Sequence, residues 1–221
     1  MERRCKLAPS LLEADYRFLD EQLKEMERAG ADCVHIDVMD GTFVPNLSFG
    51  MKMIQSIRRS TRLEFDVHMM VQEPYRFTER MIKAGADTLT VHYEACKDVE
   101  KTLAFIKNAG IKAGVALKPG TSLEVLSTPL LKMVDVVHLM TVEPGLAGQA
   151  FIPESLNRIV EVRKRLDEVH PACDIEVDGN ITPENIKSVV AAGAGIIVAG
   201  KAVFTGNMVD NICRMRQLMA D

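Results

Sequence analysis

An internal repeat constrains the fold of this chain more than any other feature. Three segments, AGADCVHIDV from Ala29, AGADTLTVHY from Ala84 and AGAGIIVAGK from Ala192, each place a glycine before a short β-rich apolar run. Their starts lie 55 and 108 residues apart, and NAGIKAGVAL from Asn108 is a weaker fourth copy. Glycine commonly ends a helix, so each copy marks the junction between a helix and the next strand. The spacing predicts repeated strand–helix units of about 25–30 residues, with some copies degenerate.

Eight short apolar runs fit this repeated unit. Runs that are apolar on both faces are typical of a parallel sheet covered by helices. Eight units in 221 residues predict an α/β fold, a compact (β/α)8 TIM barrel. An open doubly wound sheet is the alternative, but no GxGxxG motif follows the first strand. No linker divides the chain, so residues 1–221 are predicted to form one barrel domain, with strands at 5–9, 33–38, 64–69, 88–92, 112–117, 134–139, 174–178 and 195–199 and helical segments at 16–30, 74–85, 97–110, 153–169, 182–193 and 208–221.

Composition and charge argue against several classes of partner. The net charge is −4 and no long basic run occurs, which argues against nucleic acid and anionic membranes. No uncharged apolar run approaches the ~18 residues of a membrane span. The N-terminal sequence MERRCKLAPSLLEAD lacks the apolar core of a secretory signal. The five cysteines are scattered and form no CxxC pair, which predicts reduced thiols in a cytoplasmic protein.

Ionisable side chains lie at the ends of three predicted strands. His35 and Asp37 end the second strand, and their spacing of two places both on one face. His68 ends the third strand and Asp178 ends the seventh. Chemistry in such a barrel lies at the C-terminal strand ends, so these four groups should converge on one rim. Two imidazoles and two carboxylates predict a site for one divalent metal ion, Zn, Fe, Mn or Co.

Each of these residues also has a simpler interpretation. A strand-end histidine can be a hydrogen-bonded rim residue, and a strand-end aspartate can cap the helix that follows. His92, at the end of the fourth strand, is a further candidate for the pocket lining, whereas His138 is interpreted as a packed core residue. The convergence of a complementary set from three strands favours the functional interpretation.

Glycine-containing loops follow the last three predicted strands. They are EPGLAGQ from Glu143, VDGN from Val177 and VAGKAVF from Val198. Such loops, where they open into helices, can direct backbone N–H groups at a phosphate, although glycine can also simply serve a tight turn. Three such loops in succession predict a phosphate site.

The sequence resembles the ribulose-phosphate 3-epimerase family over nearly its whole length. The resemblance is carried by APSLLEAD, HIDVMDGTFVPN, DVHMMV, KAGVALKPGT, MTVEPGLAGQAFIP, IEVDGNI and VAGKAVF. It implies a TIM barrel of the ribulose-phosphate-binding type, a small sugar phosphate as substrate, and a homo-oligomer, either a dimer or a hexamer. It also implies that Asp37 and Asp178 are the acid/base pair, and that one metal ion is held by His35, Asp37, His68 and Asp178.

The resemblance further implies the residues that bind the substrate. Three methionines match those around the reacting carbons, a serine matches a substrate-contacting serine, and the late loops hold the phosphate. The predicted substrate-binding residues are Ser10, Met39, His68, Met70, Met140, Gly145, Ala147, Gly148, Gln149, Asp178, Gly179, Asn180, Gly200 and Lys201.

Several loop residues depart from the family pattern. Lys118 and Glu143 each replace an asparagine after neighbouring strands, which predicts an ion pair between them; two independent solvent-facing substitutions are the alternative. Asn180 replaces a glycine and adds bulk where close backbone approach is needed. Lys201 replaces a serine beside the expected phosphate, where it could contact the phosphate or fill the site for a different substrate.

The leading prediction is a metal-dependent ketose-phosphate 3-epimerase that interconverts D-ribulose 5-phosphate and D-xylulose 5-phosphate by two-base proton transfer at C3. Inversion requires one ionised and one protonated acid on opposite faces of the substrate, and a metal can stabilise the developing charge. A D-allulose 6-phosphate 3-epimerase, or another hexulose-phosphate 3-epimerase, is the alternative. A lyase on a similar barrel would carry an Asp-x-Lys-x-x-Asp run, which is missing, and a non-catalytic sugar-phosphate-binding barrel is the remaining alternative.

Overall fold

The computed structural model describes residues 4–146 and 148–220. Parallel strands alternate with helices along the chain, as the repeat predicts. The strands are β1 (Lys6–Pro9), β2 (Cys33–Met39), β3 (Glu64–Met70), β4 (Thr88–His92), β5 (Lys112–Leu117), β6 (Val136–Met140), β7 (Asp174–Asp178) and β8 (Ile196–Ala199).

The eight strands form a single sheet that curls into a nearly closed barrel. Their order is β1-β8-β7-β6-β5-β4-β3-β2, and all the pairs are parallel. The two ends of this order meet at a parallel bridge between Ser10 and His35. Asp32 also donates its backbone N–H to the Leu7 carbonyl at 3.0 Å. The predicted (β/α)8 TIM barrel is therefore confirmed, and the doubly wound alternative is wrong.

Helices cover the outside of the barrel. None of those in residues 4–146 and 148–220 combines the length and the apolar character that crossing a membrane requires. In these residues the α-helices are α1 (Leu19–Ala29), α2 (Met51–Ile57), α3 (Tyr75–Ala84), α4 (Val99–Asn108), α5 (Thr128–Met133), α6 (Ser155–Val169), α7 (Ile186–Ala191), α8 (Lys201–Phe204) and α9 (Met208–Ala220).

The sequence pattern located the strands better than the helices. Every predicted strand forms within two residues of its expected bounds, and β6 differs most because it begins at Val136 rather than at residue 134. Helices α2, α5 and α8 were not predicted. They span seven, six and four residues, and so few residues cannot display the 3.6-residue periodicity by which a helix is recognised.

Side chains alternate between the two faces of each strand, and this alternation positions the site. On β2, Val34, Ile36 and Val38 belong to the main apolar core, which includes residues of the covering helices. His35 and Asp37 therefore face the barrel interior. A smaller apolar cluster fills the interior on the N-terminal side of these two residues, and its members are Ala8, Cys33, Val136, Ile196 and Val198.

Candidate active site

Four side chains converge at the C-terminal mouth of the barrel. Asp37 Oδ1 lies 3.0 Å from His68 Nδ1 and 3.3 Å from His35 Nε2. Asp178 Oδ2 lies 3.7 Å from His68 Nδ1. The register of β2 against β3 places Asp37 beside His68, whereas Asp178 comes from β7. One potential ligand atom from each residue lies within 4.8 Å of the others in the cluster of His35, Asp37, His68 and Asp178.

The donor set of this cluster fits a divalent cation. His35 Nε2 is buried and has no hydrogen-bond partner among the described residues. It faces Asp178 Oδ2 at 3.9 Å as well as Asp37. A buried nitrogen without a partner is costly, and a cation that takes up its lone pair would remove that cost. Imidazole and carboxylate donors together suit the first-row divalent metals.

The two carboxyl groups of the cluster differ in proton affinity. Burial by itself would raise the pKa of Asp37, but the neighbouring His35 and His68 outweigh it and hold the pKa well below its ordinary range. Burial and the charge of Asp37 raise the pKa of Asp178, which His35 only partly offsets. Asp37 is therefore ionised while Asp178 keeps its proton at neutral pH, an arrangement suited to acid–base chemistry.

Ser10 fixes the carboxylate of Asp37 from the other side. Its Oγ donates a hydrogen bond to Asp37 Oδ2 at 2.7 Å. Ser10 directly follows β1, and its bridge to His35 brings the end of β1 against β2. The closure of the barrel thus positions the serine that orients this carboxylate.

A further group of ionisable residues lies beneath the cluster. His35 Nδ1 is 2.7 Å from Asp66 Oδ2 and 3.3 Å from Glu176 Oε1. Glu176 Oε2 lies 3.1 Å from His138 Nδ1. Burial and the neighbouring Glu176 raise the pKa of Asp66 to about 7. Burial would lower the pKa of His35, but Asp37 and Asp66 outweigh it and raise the pKa well above its ordinary value. A cation that replaced the proton on Nε2 would take up the lone pair there and leave the Nδ1 proton shared with Asp66.

A cavity of about 330 Å³ opens above the cluster. Asp37 forms part of its lining, whereas His35 and His68 are fully buried beneath it. Ala147 lies outside the described residues, and His68 does not contribute to the lining. The predicted substrate-binding residues that do line the cavity are Ser10, Met39, Met70, Met140, Gly145, Gly148, Gln149, Asp178, Gly179, Asn180, Gly200 and Lys201.

Comparison with known proteins identifies the family. The model of the ribulose-phosphate 3 epimerase family matches residues 6–204. A ribulose-phosphate 3-epimerase of Bacillus subtilis is 46% identical over 200 residues, which cover 90% of this chain and 92% of that protein. The chain belongs to the ribulose-phosphate 3-epimerase family. It is therefore an isomerase, an epimerase that acts on carbohydrates, and the lyase and non-catalytic alternatives are set aside.

Other relatives and solved structures agree with this assignment. A ribulose-phosphate 3-epimerase of Synechocystis sp. is 44% identical over 206 residues. The match covers 92% of this chain and 89% of the Synechocystis protein. A mutant tryptophan synthase α-subunit from Pyrococcus furiosus has a TM-score of 0.71 at 13% identity and covers 100% of this chain and 99% of its own. Orotidine 5′-phosphate decarboxylase from Pyrococcus horikoshii has a TM-score of 0.69 at 14% identity, with coverages of 97% and 99%. At these identities the two structures show the fold alone.

The ion pair predicted between Lys118 and Glu143 of this epimerase is wrong. Both residues are described, and no ion pair joins them. The ammonium of Lys118 instead lies 4.0 Å from the centroid of the Phe43 ring. A cation above an aromatic face is attracted by the ring quadrupole. Lys118 therefore interacts with Phe43 instead of with Glu143. Glu143 lines the cavity.

The asparagine at position 180 is compatible with the turn that it occupies. Asn180 has φ +51°, in the left-handed region that favours glycine but that asparagine enters more readily than most residues. The Asn185 side chain donates a hydrogen bond to the backbone carbonyl of Asn180 at 3.0 Å. Gly179 has φ +129°, and a Cβ there would lie within 3 Å of Thr141 and Val142. Only the second position of this turn therefore accepts a side chain.

The buried network around the cluster includes residues that the sequence pattern did not single out. His92 does not line the cavity: it is fully buried, and its Nε2 contacts His68 Nε2 at 2.9 Å. Asp66 and Glu176 were not singled out, although each precedes a cluster residue on its strand by two positions. The two-residue spacing that grouped His35 with Asp37 would have placed them beneath the cluster.

Proposed function

We propose that this epimerase interconverts D-ribulose 5-phosphate and D-xylulose 5-phosphate by moving a proton at C3 between Asp37 and Asp178. The observation that carries the proposal is that two carboxyl groups from separate strands, Asp37 of β2 and Asp178 of β7, reach one cavity beside the histidine cluster. The relatives from Bacillus subtilis and Synechocystis sp. are ribulose-phosphate 3-epimerases, and this supports the choice of substrate. A base and an acid on different strands are what inversion at a single carbon requires.

One ionised and one protonated carboxyl group suit a two-base proton transfer. The ionised Asp37 accepts the C3 proton of one epimer, and the protonated Asp178 donates to the opposite face of the planar intermediate. The reverse reaction uses the same groups with their roles exchanged. Ser10 keeps Asp37 Oδ2 hydrogen-bonded, so Oδ1 is the oxygen directed at the cluster.

One divalent cation, Zn, Fe, Mn or Co, would be held by the cluster of His35, Asp37, His68 and Asp178. When bound, it would act as a Lewis acid that stabilises the negative charge developing on the substrate oxygens. The thioether walls of Met39, Met70 and Met140 surround the reacting carbons in this proposal. Methionine offers an apolar and polarizable surface that excludes water without competing for the proton.

The phosphate end of the substrate is assigned to the loops after β6, β7 and β8. This side of the cavity is lined by Gly148, Gly179 and Gly200. Lys201 contributes a positively charged ammonium group there. Ala147 belongs to the same predicted set but lies outside the described residues.

Replacing Lys201 with alanine should raise KM about tenfold or more while kcat changes little. A hydrogen bond to a charged group contributes about 1.5–3 kcal/mol, and Lys201 is distant from the proton-transfer step in this proposal. Steady-state kinetics on D-ribulose 5-phosphate measure both constants. Lys52→Ala, at an exposed position on α2, is the matched control. Unchanged KM in Lys201→Ala would show that this lysine makes no useful contact with the phosphate.

A direct comparison of sugar phosphates tests the function. The enzyme should turn over D-ribulose 5-phosphate with a higher kcat/KM than D-allulose 6-phosphate. Glu143 in the cavity lining keeps the hexulose phosphate as a second candidate, because an additional carboxylate could accept a hydrogen bond from an extra hydroxyl group. A higher kcat/KM on the hexulose phosphate would transfer the assignment to that substrate, and no turnover of either would overturn the proposal.

We further propose a cytoplasmic homo-oligomer, a dimer or a hexamer. The family resemblance supports the oligomer. The five cysteines all lie in the part of the chain that the structure describes, and none of them forms a disulfide, which suits reduced thiols.

A further inference from the structure

A chain of three side chains leads away from the cluster on the side opposite its proposed cation. His68 Nδ1 faces Asp37 Oδ1, while His68 Nε2 lies 2.9 Å from His92 Nε2. On the far side of its ring, His92 Nδ1 lies 3.2 Å from Glu94 Oε2. Glu94 Oε1 accepts hydrogen bonds from the Lys118 backbone N–H at 2.8 Å and from the Thr121 hydroxyl. The chain thus runs from β3 across the end of β4 to the loop after β5.

Cation binding would fix the positions of the ring protons of His68 and His92. A cation on His68 Nδ1 takes up the lone pair there, so the ring proton of neutral His68 must lie on Nε2. Only one proton fits between the two Nε2 atoms, so His92 Nε2 must be the acceptor. The ring proton of His92 then lies on Nδ1 and points at Glu94. A carboxylate that accepts two other hydrogen bonds is suited to accept this one as well.

Water cannot readily replace the carboxylate at the end of this chain. His68 and His92 are both fully buried. The ring of Phe43 lies over His92, with centroids 4.9 Å apart, and the Lys118 ammonium covers the ring of Phe43. Only Glu94 among the described residues is within hydrogen-bond distance of His92 Nδ1. The direction of the chain therefore depends on this one carboxylate.

We propose that Glu94, acting through His92, is a positioning residue that holds His68 in the tautomer whose Nδ1 lone pair faces the cation. The proposal rests on the proposed function, because it needs a cation at the cluster. It gives the two histidines of the cluster different supports: His35 contacts the carboxylate of Asp66 directly, whereas His68 reaches its carboxylate through a second imidazole.

The near-isosteric variant Glu94→Gln should reverse the chain. The Lys118 N–H can only donate, so the glutamine carbonyl oxygen must remain on that side and the amide N–H2 group must face His92. His92 Nδ1 then becomes the acceptor, its proton moves to Nε2, and the proton of His68 moves to Nδ1, where it points into the cation site. Outer partners of metal ligands typically contribute about 10- to 100-fold to metal affinity, and we expect a loss of this size.

Two measurements on the whole protein test the proposal. Competition with a chelator gives the Co²⁺ affinity of the wild type, of Glu94→Gln, and of the control Glu124→Gln, whose side chain is 82% exposed and paired with Arg165. The control should bind Co²⁺ as the wild type does. In the Zn²⁺-loaded wild type, ¹⁵N NMR of the imidazoles should place the protons on His92 Nδ1 and His68 Nε2. This second measurement needs no variant to fold.

The outcomes separate the two proposals. If the wild type binds Co²⁺ and Glu94→Gln binds it equally well, the positioning role of Glu94 is overturned while the cation site stands. A His92 proton found on Nε2 in the Zn²⁺-loaded protein has the same meaning. If the wild type itself binds neither ion, the cation in the proposed function is overturned, and the inference falls with it.

Discussion

Replacing Asp178 with asparagine should lower kcat by about 10²- to 10⁴-fold, the range that a positioned acid or base contributes. Asparagine has nearly the same shape as aspartic acid but cannot donate the proton that the raised pKa of Asp178 retains. The variant should also separate the two faces of the reaction. In deuterated water, one epimer should still exchange its C3 proton through Asp37, while the other should not. Mass spectrometry of each sugar phosphate after incubation measures both exchange rates.

Asp174→Asn is the matched control for this experiment. Asp174 lies at the opposite end of the same strand, β7, and its carboxylate pairs with Lys6 at 3.0 Å. This variant should exchange both epimers at the wild-type rate. Equal loss of exchange from both epimers in Asp178→Asn, with the cation still bound, would contradict the assignment of one carboxyl to each face.

Removing the cation with a chelator should lower kcat about 10³-fold or more. Charge stabilisation by a bound metal contributes several kcal/mol to catalysis, and 1.36 kcal/mol corresponds to a factor of ten. Removal should also lower the thermal unfolding temperature, since the cation binds four donors that only the folded barrel brings together. A cation present at 1,000 times its Kd stabilises the folded state by about 4 kcal/mol. Kinetics and calorimetry on the same chelated sample measure the two effects.

Restoring single metals to the chelated enzyme completes this experiment. Zn, Mn, Co and Fe(II) should each raise both turnover and the unfolding temperature, and their relative effects rank the metals for this site. Adding Mg²⁺ is the control, because Mg²⁺ prefers oxygen donors and half of these donors are imidazoles. Full turnover in a sample shown by elemental analysis to contain no metal would contradict the proposed role of the cation.

The barrel and the composition of the cluster followed from local features of the sequence. The glycine that ends each helix and the apolar run after it recur in each copy of the repeat, and both depend on a few adjacent residues. The two-residue alternation of β2 assigns His35 and Asp37 to one face. Once the fold class is known, the strand-end rule brings His68 and Asp178 to the same mouth. Each of these steps uses residues that are close in sequence.

The partners of individual side chains followed from the three-dimensional arrangement instead. Lys118 was expected to pair with Glu143 because their strands are neighbours, but its ammonium lies over Phe43, which the loop after β2 brings to the same place. The same loop packs that ring on His92, which was only a candidate for the pocket lining and is fully buried. Neighbouring strands bring their loops together. Which of several nearby groups a long flexible side chain contacts then depends on the three-dimensional positions of those groups.

The sequence of this epimerase by itself determined the order of the strands, the face that each strand-end residue presents, and the family to which the chain belongs. Only the tertiary structure decided that Asp66, Glu176 and Glu94 lie against the histidines, and that Asp37 and Asp178 differ in proton affinity. The physical reason is the range of the interactions. Strand alternation and helix ends are set by neighbours along the chain, whereas hydrogen-bond partners and pKa shifts depend on burial and on charges that meet only when the barrel closes.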